Sequence, residues 1–127
     1  MRISQSHQEA RHYGSLTHLD SGTANARIRI YDGTPPITGV ITSTMLVEIK
    51  LDKPSGIVSN GTLILAASTI ALVSNSGIAS WARVVTGMGD VAFDLTVSDN
   101  AGTGDLKLLS TTLYKGGKAV LLSAILS

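Results

Sequence analysis

His7, His12 and His18 are the side chains in this chain most able to do chemistry, since neutral imidazole binds metals and shuttles protons near neutral pH. A helical metal site needs ligands at i and i+3 or i+4, so that they share a face. These histidines are five and six residues apart, so they diverge around a helix. Glu9 and Asp20 complete a set only in an unusual geometry. The spacing therefore favours solvated or interface histidines over a metal centre. The one acidic cluster is Asp90, Asp94, Asp99 and Asp105. Paired carboxylates can act as general acid and base or hold calcium, but the EF-hand pattern is missing. Turn formers and outward strand positions account for all four.

Other chemistries lack their parts. There is no Gly-x-Ser-x-Gly elbow for a serine nucleophile. Gly102-Thr103-Gly104-Asp105-Leu106-Lys107 lacks the Gly-Lys-Ser/Thr ending of a phosphate loop. Asn60-Gly61-Thr62 fits a glycosylation sequon, but Asn-Gly reads better as a hairpin turn. Trp81, the single tryptophan, is expected in the core rather than as a sugar platform. With no cysteine there is no thiolate chemistry and no disulfide frame. The residues point to a protein without catalysis, cofactor or metal.

Composition bounds the rest. The 127 residues fit one domain with a real core. Charged residues are 15% of the chain, against roughly 25% in an average soluble domain. Aromatics are only 4%, so the core must be aliphatic. The net charge of +1, with Lys and Arg spread out, shows no nucleic-acid footprint. The longest apolar block, Leu63 to Val73, is interrupted by Ser68 and Thr69. It is too short for a bilayer span of about 20 residues. The start of the chain is polar, without the apolar core of a secretory signal.

The charges are unevenly placed. Between Lys53 and Arg83 there are none. Soluble domains normally guard exposed strands with charge, so a bare segment points to cover by a neighbour. The last strand, Lys118 to Leu126, is apolar on both faces: Val120, Leu122 and Ala124 against Leu121 and Ile125. Its position is expected to be central, or its outer face covered by another subunit.

Periodicity gives the frame. Ala10, Tyr13, Leu16 and Leu19 have helix-like spacing, weakened by Gly14 and ended by Ser21-Gly22. Residues 1–24 are expected to form an arm or short helix, and residues 25–127 an all-β domain. Arg27 to Tyr31 alternates with period two, and Asp32-Gly33-Thr34-Pro35-Pro36 ends it. Met45 to Leu51 follows, broken at Asp52 to Gly56. Asn60-Gly61 joins Ile57-Val58 to Leu63-Ile64-Leu65. Thr69 to Val73, Ile78 to Thr86, Val91 to Val97, Leu106 to Leu108, Thr112 to Tyr114 and Lys118 to Leu126 read as further strands. The count and spacing predict a two-sheet antiparallel β-sandwich, specifically a jelly roll.

Three segments together carry a resemblance: Arg27 to Pro36 (RIRIYDGTPP), Ala79 to Val85 (ASWARVV) and Gly104 to Leu108 (GDLKL). Their order is similar to that in a family of small tailed-bacteriophage and prophage virion proteins, with an RIYDGTxP strand, an ATWxRxxD strand and a G-x-DL-x-L segment. The chain departs from it at Thr86-Gly87-Met88-Gly89, where the family often has Asp-Ser-Gly. The resemblance extends to jelly-roll capsid cement, or decoration, proteins. It implies a non-enzymatic structural protein on the capsid surface of a virion, assembled in the bacterial host cytoplasm. Its partners would be the major capsid protein and copies of itself, with a trimer as the expected form, and neither nucleic acid nor membrane. A tail, neck or baseplate component is the alternative, followed by a carbohydrate-binding module. The expected partner interface is Ile3, Tyr13, Leu16 and Leu19 from the arm, with Ile64, Leu121 and Ile125 from the strands.

Overall fold

The computed structural model describes residues 3–36, 40–67 and 70–126. The start of the run expected from Thr69 lies outside the described residues. One helix, α1 (Gln5–Leu19), precedes ten strands. They are β1 (Arg27–Tyr31), β2 (Met45–Ser59), β3 (Thr62–Ala67), β4 (Ile70–Leu72), β5 (Gly77–Ile78), β6 (Trp81–Val85), β7 (Val91–Asp99), β8 (Leu106–Leu108), β9 (Thr112–Leu113) and β10 (Lys118–Leu126). The chain is thus mostly β with a short N-terminal helix.

The strands do not separate into the two stacked sheets expected. They run β3-β2-β1-β6-β7-β8-β10-β4, and β3 also pairs with β10, so the sheet closes into a barrel-like ring. Strands β3 and β4 lie end to end along one edge of β10: β3 against Ile125 and Leu126, β4 against Lys118 to Val120. A small β5–β9 sheet is separate. Turn spacing alone cannot distinguish a sandwich from a barrel, because both alternate short strands with tight turns.

Local chemistry explains the main departures from the sequence reading. Strand β2 does not stop at Asp52. Its first half pairs with β1, and its second with β3 after a register shift between Leu51 and Gly56. A Cβ at Gly56 would collide with the Ile64 carbonyl, so only glycine lets β3 close here. The Asn60-Gly61 hairpin forms as expected, with φ of 51° and 79°. The expected Ile78–Thr86 strand is split, and its two parts join different sheets.

Strands β7 and β8 are parallel, with Val97 opposite Leu106. Parallel neighbours usually need a crossover of a dozen or more residues. Here a short loop doubles back because side chains pin it. The Asp99 carboxylate accepts from the Ala101 and Gly102 amides (3.0 and 3.1 Å). The Ser98 hydroxyl accepts from Gly104 N (2.9 Å), and Thr96 Oγ1 from Asp105 N (3.0 Å).

The core is aliphatic. Ile28, Ile30, Leu46, Ile49, Leu51, Leu63, Leu106 and Leu108 are fully enclosed. In β10 a register shift between Leu121 and Ser123 changes which side chains point inward. Leu121 and Ala124 enter the core, while Leu122 and Ile125 stay exposed. Strict alternation had grouped Leu122 with Ala124.

Helix α1 docks on its own barrel. Ser4 caps its start, accepting from His7 N (3.3 Å). Leu19 is fully buried, Leu16 packs on the same core, and the Leu19 carbonyl accepts from Gly87 N. The Asp20 carboxylate beyond it accepts from Ser55 N (3.0 Å) and from the Ser55 hydroxyl. Leu19→Ala should therefore cost about 2–5 kcal/mol of global stability by chemical denaturation. Gly14 sits mid-helix with open space around it. Gly14→Ala should stabilise the fold by about 0.5–1 kcal/mol in the same assay. No gain from Gly14→Ala would mean that the helix does not unfold with the barrel.

Candidate interaction face

Several of the side chains with chemical potential make structural contacts. His7 and His18 are exposed on α1, while His12 is buried. Its Nε2 lies 3.2 Å from the Gly61 carbonyl and 3.3 Å from the Gln8 side-chain amide, within hydrogen-bond reach of both. Among the described residues, no three His, Asp or Glu side chains gather as a metal-binding group. Asp99 and Asp105 belong to the β7–β8 loop, and Asp90 lies in the turn before β7, where Thr86 Oγ1 accepts from its amide (3.1 Å). Asp94 accepts two bonds from Arg83, 2.8 Å from Nε and 3.1 Å from an Nη.

Trp81 is buried, as expected, but outside the aliphatic cluster. Its ring stacks on Tyr31 with centroids 4.6 Å apart and planes 15° off parallel. Its Nε1 donates to the Asp32 carbonyl (3.1 Å) and the Ser43 hydroxyl (3.3 Å). The Arg83 guanidinium covers the ring at 5.4 Å from the centroid. Burial of this kind removes Trp81 as a sugar platform. The hydrogen bond to Asp94 raises the Arg83 pKa, against the lowering effect of burial. A raised folded-state pKa means this contribution is fully present below the unfolded value. It is lost only as pH climbs through the folded one, so the guanidinium stays charged at neutral pH.

Arg83 and Asp94 belong to a transverse row across four strands. Glu48 of β2 lies opposite Arg29 of β1, Arg29 opposite Arg83 of β6, and Arg83 opposite Asp94 of β7. Arg29 Nε donates to Glu48 at 2.9 Å. Arg27 and Lys50 form the next pair. The outside of this half of the barrel is charged and hydrated.

The other half is bare. Ile57 of β2 lies opposite Ile64 of β3, and Ile64 opposite Ile125 of β10. Further along, Ile70 of β4 lies opposite Val120 of β10. Ile57, Ile64, Ile70, Leu72, Leu122 and Ile125 are each 40–67% exposed. The charge-free sequence between Lys53 and Arg83 supplies most of this face, and the charge-free end of β10 supplies the rest. Lys118, opposite Leu72, stands at its margin.

The expected interface residues divide. Ile64 and Ile125 stand side by side in the exposed row. Tyr13 is exposed on α1, and Ile3 is half-buried. Leu16 packs against the core. Leu19 and Leu121 are core residues, closed off within the chain itself, so no partner can reach them. Ile57, Ile70, Leu72 and Leu122 share the exposed aliphatic face and were not among the expected residues. The signal for them was the bare charge pattern read with period two.

No family model, curated protein or solved structure matches the chain.

The two halves of the barrel should respond differently to substitution. Arg83→Ala removes an ion pair and the cover of Trp81, and should cost about 1–2 kcal/mol. Asp94→Ala removes only the half-exposed carboxylate and should cost less than about 1 kcal/mol. Urea unfolding followed by Trp81 fluorescence measures both, and equal losses would refute the role of Arg83 as a cover.

Proposed function

We propose that this chain is a non-enzymatic structural subunit of a tailed-phage virion, a capsid cement or decoration protein that works through contact area. The observation that carries the reading is the aliphatic face on β2, β3, β4 and β10. A soluble monomer rarely leaves so many neighbouring aliphatic side chains open, and larger patches mark interaction sites. The resemblance of the Arg27–Pro36, Ala79–Val85 and Gly104–Leu108 segments to small virion proteins supplies the setting. In this reading the partners are the major capsid protein and further copies of the chain. The site of action is the outer shell, reached after assembly in the host cytoplasm. The role asks for a rigid β body with one adhesive side. A closed barrel supplies that as well as the jelly roll of the cement proteins it resembles.

Shell stabilisation of this kind needs no reacting group. The gain is apolar surface removed from water, at roughly 25 cal/mol per Å². Asp20, Asp94 and Asp99, tied into the helix end, an ion pair and a turn, are consistent with that.

The alternative is a tail, neck or baseplate component, which would use the same face in a smaller ring. Quantitative mass spectrometry and electron microscopy of purified particles separate the two. Hundreds of copies on the head are expected, and the protein should bind shells that lack it. Copies confined to one ring on the tail would favour the alternative. Absence from particles would overturn both.

A further inference from the structure

We propose that the aliphatic face closes against the same face of a second copy of this chain, about a two-fold axis. The proposal rests on the reading of the chain as a structural subunit, and it names the first partner of that face.

The occupant follows from what the face offers. Its six aliphatic residues enclose no charged side chain; Lys118, opposite Leu72, and Lys107 of β8, opposite Ser123, stand at its margins. A charged partner therefore finds nothing to pair with at its centre, while two copies meet there without like-charge repulsion. A two-fold interface requires one patch complementary to itself. A row of three isoleucines in direct cross-strand register, Ile57–Ile64–Ile125, is such a patch, since an aliphatic ridge packs into an aliphatic groove of its own kind. A ring of three needs two different surfaces that fit each other. Among the described residues the opposite half of the barrel carries the Glu48–Arg29–Arg83–Asp94 row, which would bury charge against the aliphatic face. The geometry therefore favours two copies over the trimer expected from the family resemblance.

The area is of the right size. Six aliphatic side chains this exposed leave an apolar surface on the order of 500 Å², at the upper end of what a monomer shows. Val120, Ala66 and the polar rim extend the footprint towards the roughly 800 Å² that each partner buries in a standard interface. The isoleucine row lies on strands paired along both edges, β3 between β2 and β10 and β10 between β8 and β3, whereas β4 has β10 as its one partner in the sheet. Contact at the row is therefore face to face through side chains, like two sheets packed about 10 Å apart. The outside of a barrel is convex, so a dissociation constant of order 10 μM is expected rather than a nanomolar one.

Sedimentation velocity and light scattering of the intact chain, from about 1 to 200 μM, test this around the expected constant. The mass should rise from one copy to two and stop there. Ile64→Lys places a charge at the centre of the row and should weaken association at least tenfold, with thermal unfolding kept close to that of the parent. If that variant fails to fold, Ile57→Lys, on the more exposed flank, takes its place with the same expectation. The natural chain is free of cysteine. Ile64→Cys should therefore form a covalent dimer on mild oxidation, because a central residue meets its own copy across the axis. A chain that stays monomeric throughout, a mass of three copies, or a dimer indifferent to both lysine variants would overturn the proposal. A monomer still found on virions would overturn the dimer and leave the structural role standing. A dimer absent from virions would do the reverse.

Discussion

The pairing of β10 along both of its edges is the contact on which the rest of the barrel depends. β8 bonds to one edge, and β3 and β4 bond to the other. Without it the sheet would be an open ribbon, with free backbone donors and acceptors on two edges. The register shift between Leu121 and Ser123 lets one strand serve these neighbours while Leu121 and Ala124 still reach the core. Closure has a functional consequence. It takes the joined edges of β3 and β10 out of reach of strand addition, while β4 has β10 as its one partner in the sheet.

Those outward side chains are sorted by position around the ring. On β1, β6, β7 and the first half of β2 they form ion pairs, and Arg83 shields the Tyr31–Trp81 stack beneath it. On β3, β4, β10 and the second half of β2 they are mainly isoleucine and leucine, with Lys118 at the start of β10. The bend in β2 at its register shift divides the two regimes within one strand, with Glu48 and Lys50 before it and Ile57 after it.

Much of this was legible in the sequence, and what was missed has physical causes. Period-two alternation located β1, β7 and β10, and Asn60-Gly61 fixed the β2–β3 hairpin because both residues tolerate positive φ. The uncharged stretch marked the exposed aliphatic face before its geometry was known. Sheet closure was hidden because pairing partners distant in sequence leave no local pattern. The bulge in β10 was hidden because all of its side chains from Ala119 to Leu122 are apolar, so the pattern does not register a slip of one residue. Leu19 and Leu121 were placed on a surface for a related reason: hydrophobicity says that a residue wants cover, but not which part of the chain provides it.

The N-terminal helix shows the same point in energetic terms. Its sequence is polar, and few of its side chains are buried, so isolated it would be marginal. An arm that poor in apolar groups was expected to need a neighbouring subunit. The barrel itself serves as that neighbour. Leu19 completes the core, His12 Nε2 lies within hydrogen-bond reach of the Gly61 carbonyl of the β2–β3 turn, and the Asp20 carboxylate satisfies the Ser55 amide and hydroxyl inside the bend of β2. The buried polar contacts at Ser55 matter as much as the leucine, because an unpaired donor there would cost about 1–3 kcal/mol. With its anchors committed to its own chain, the helix has little left to offer a partner beyond Tyr13. The aliphatic side chains on β2, β3, β4 and β10 have no such cover within the chain.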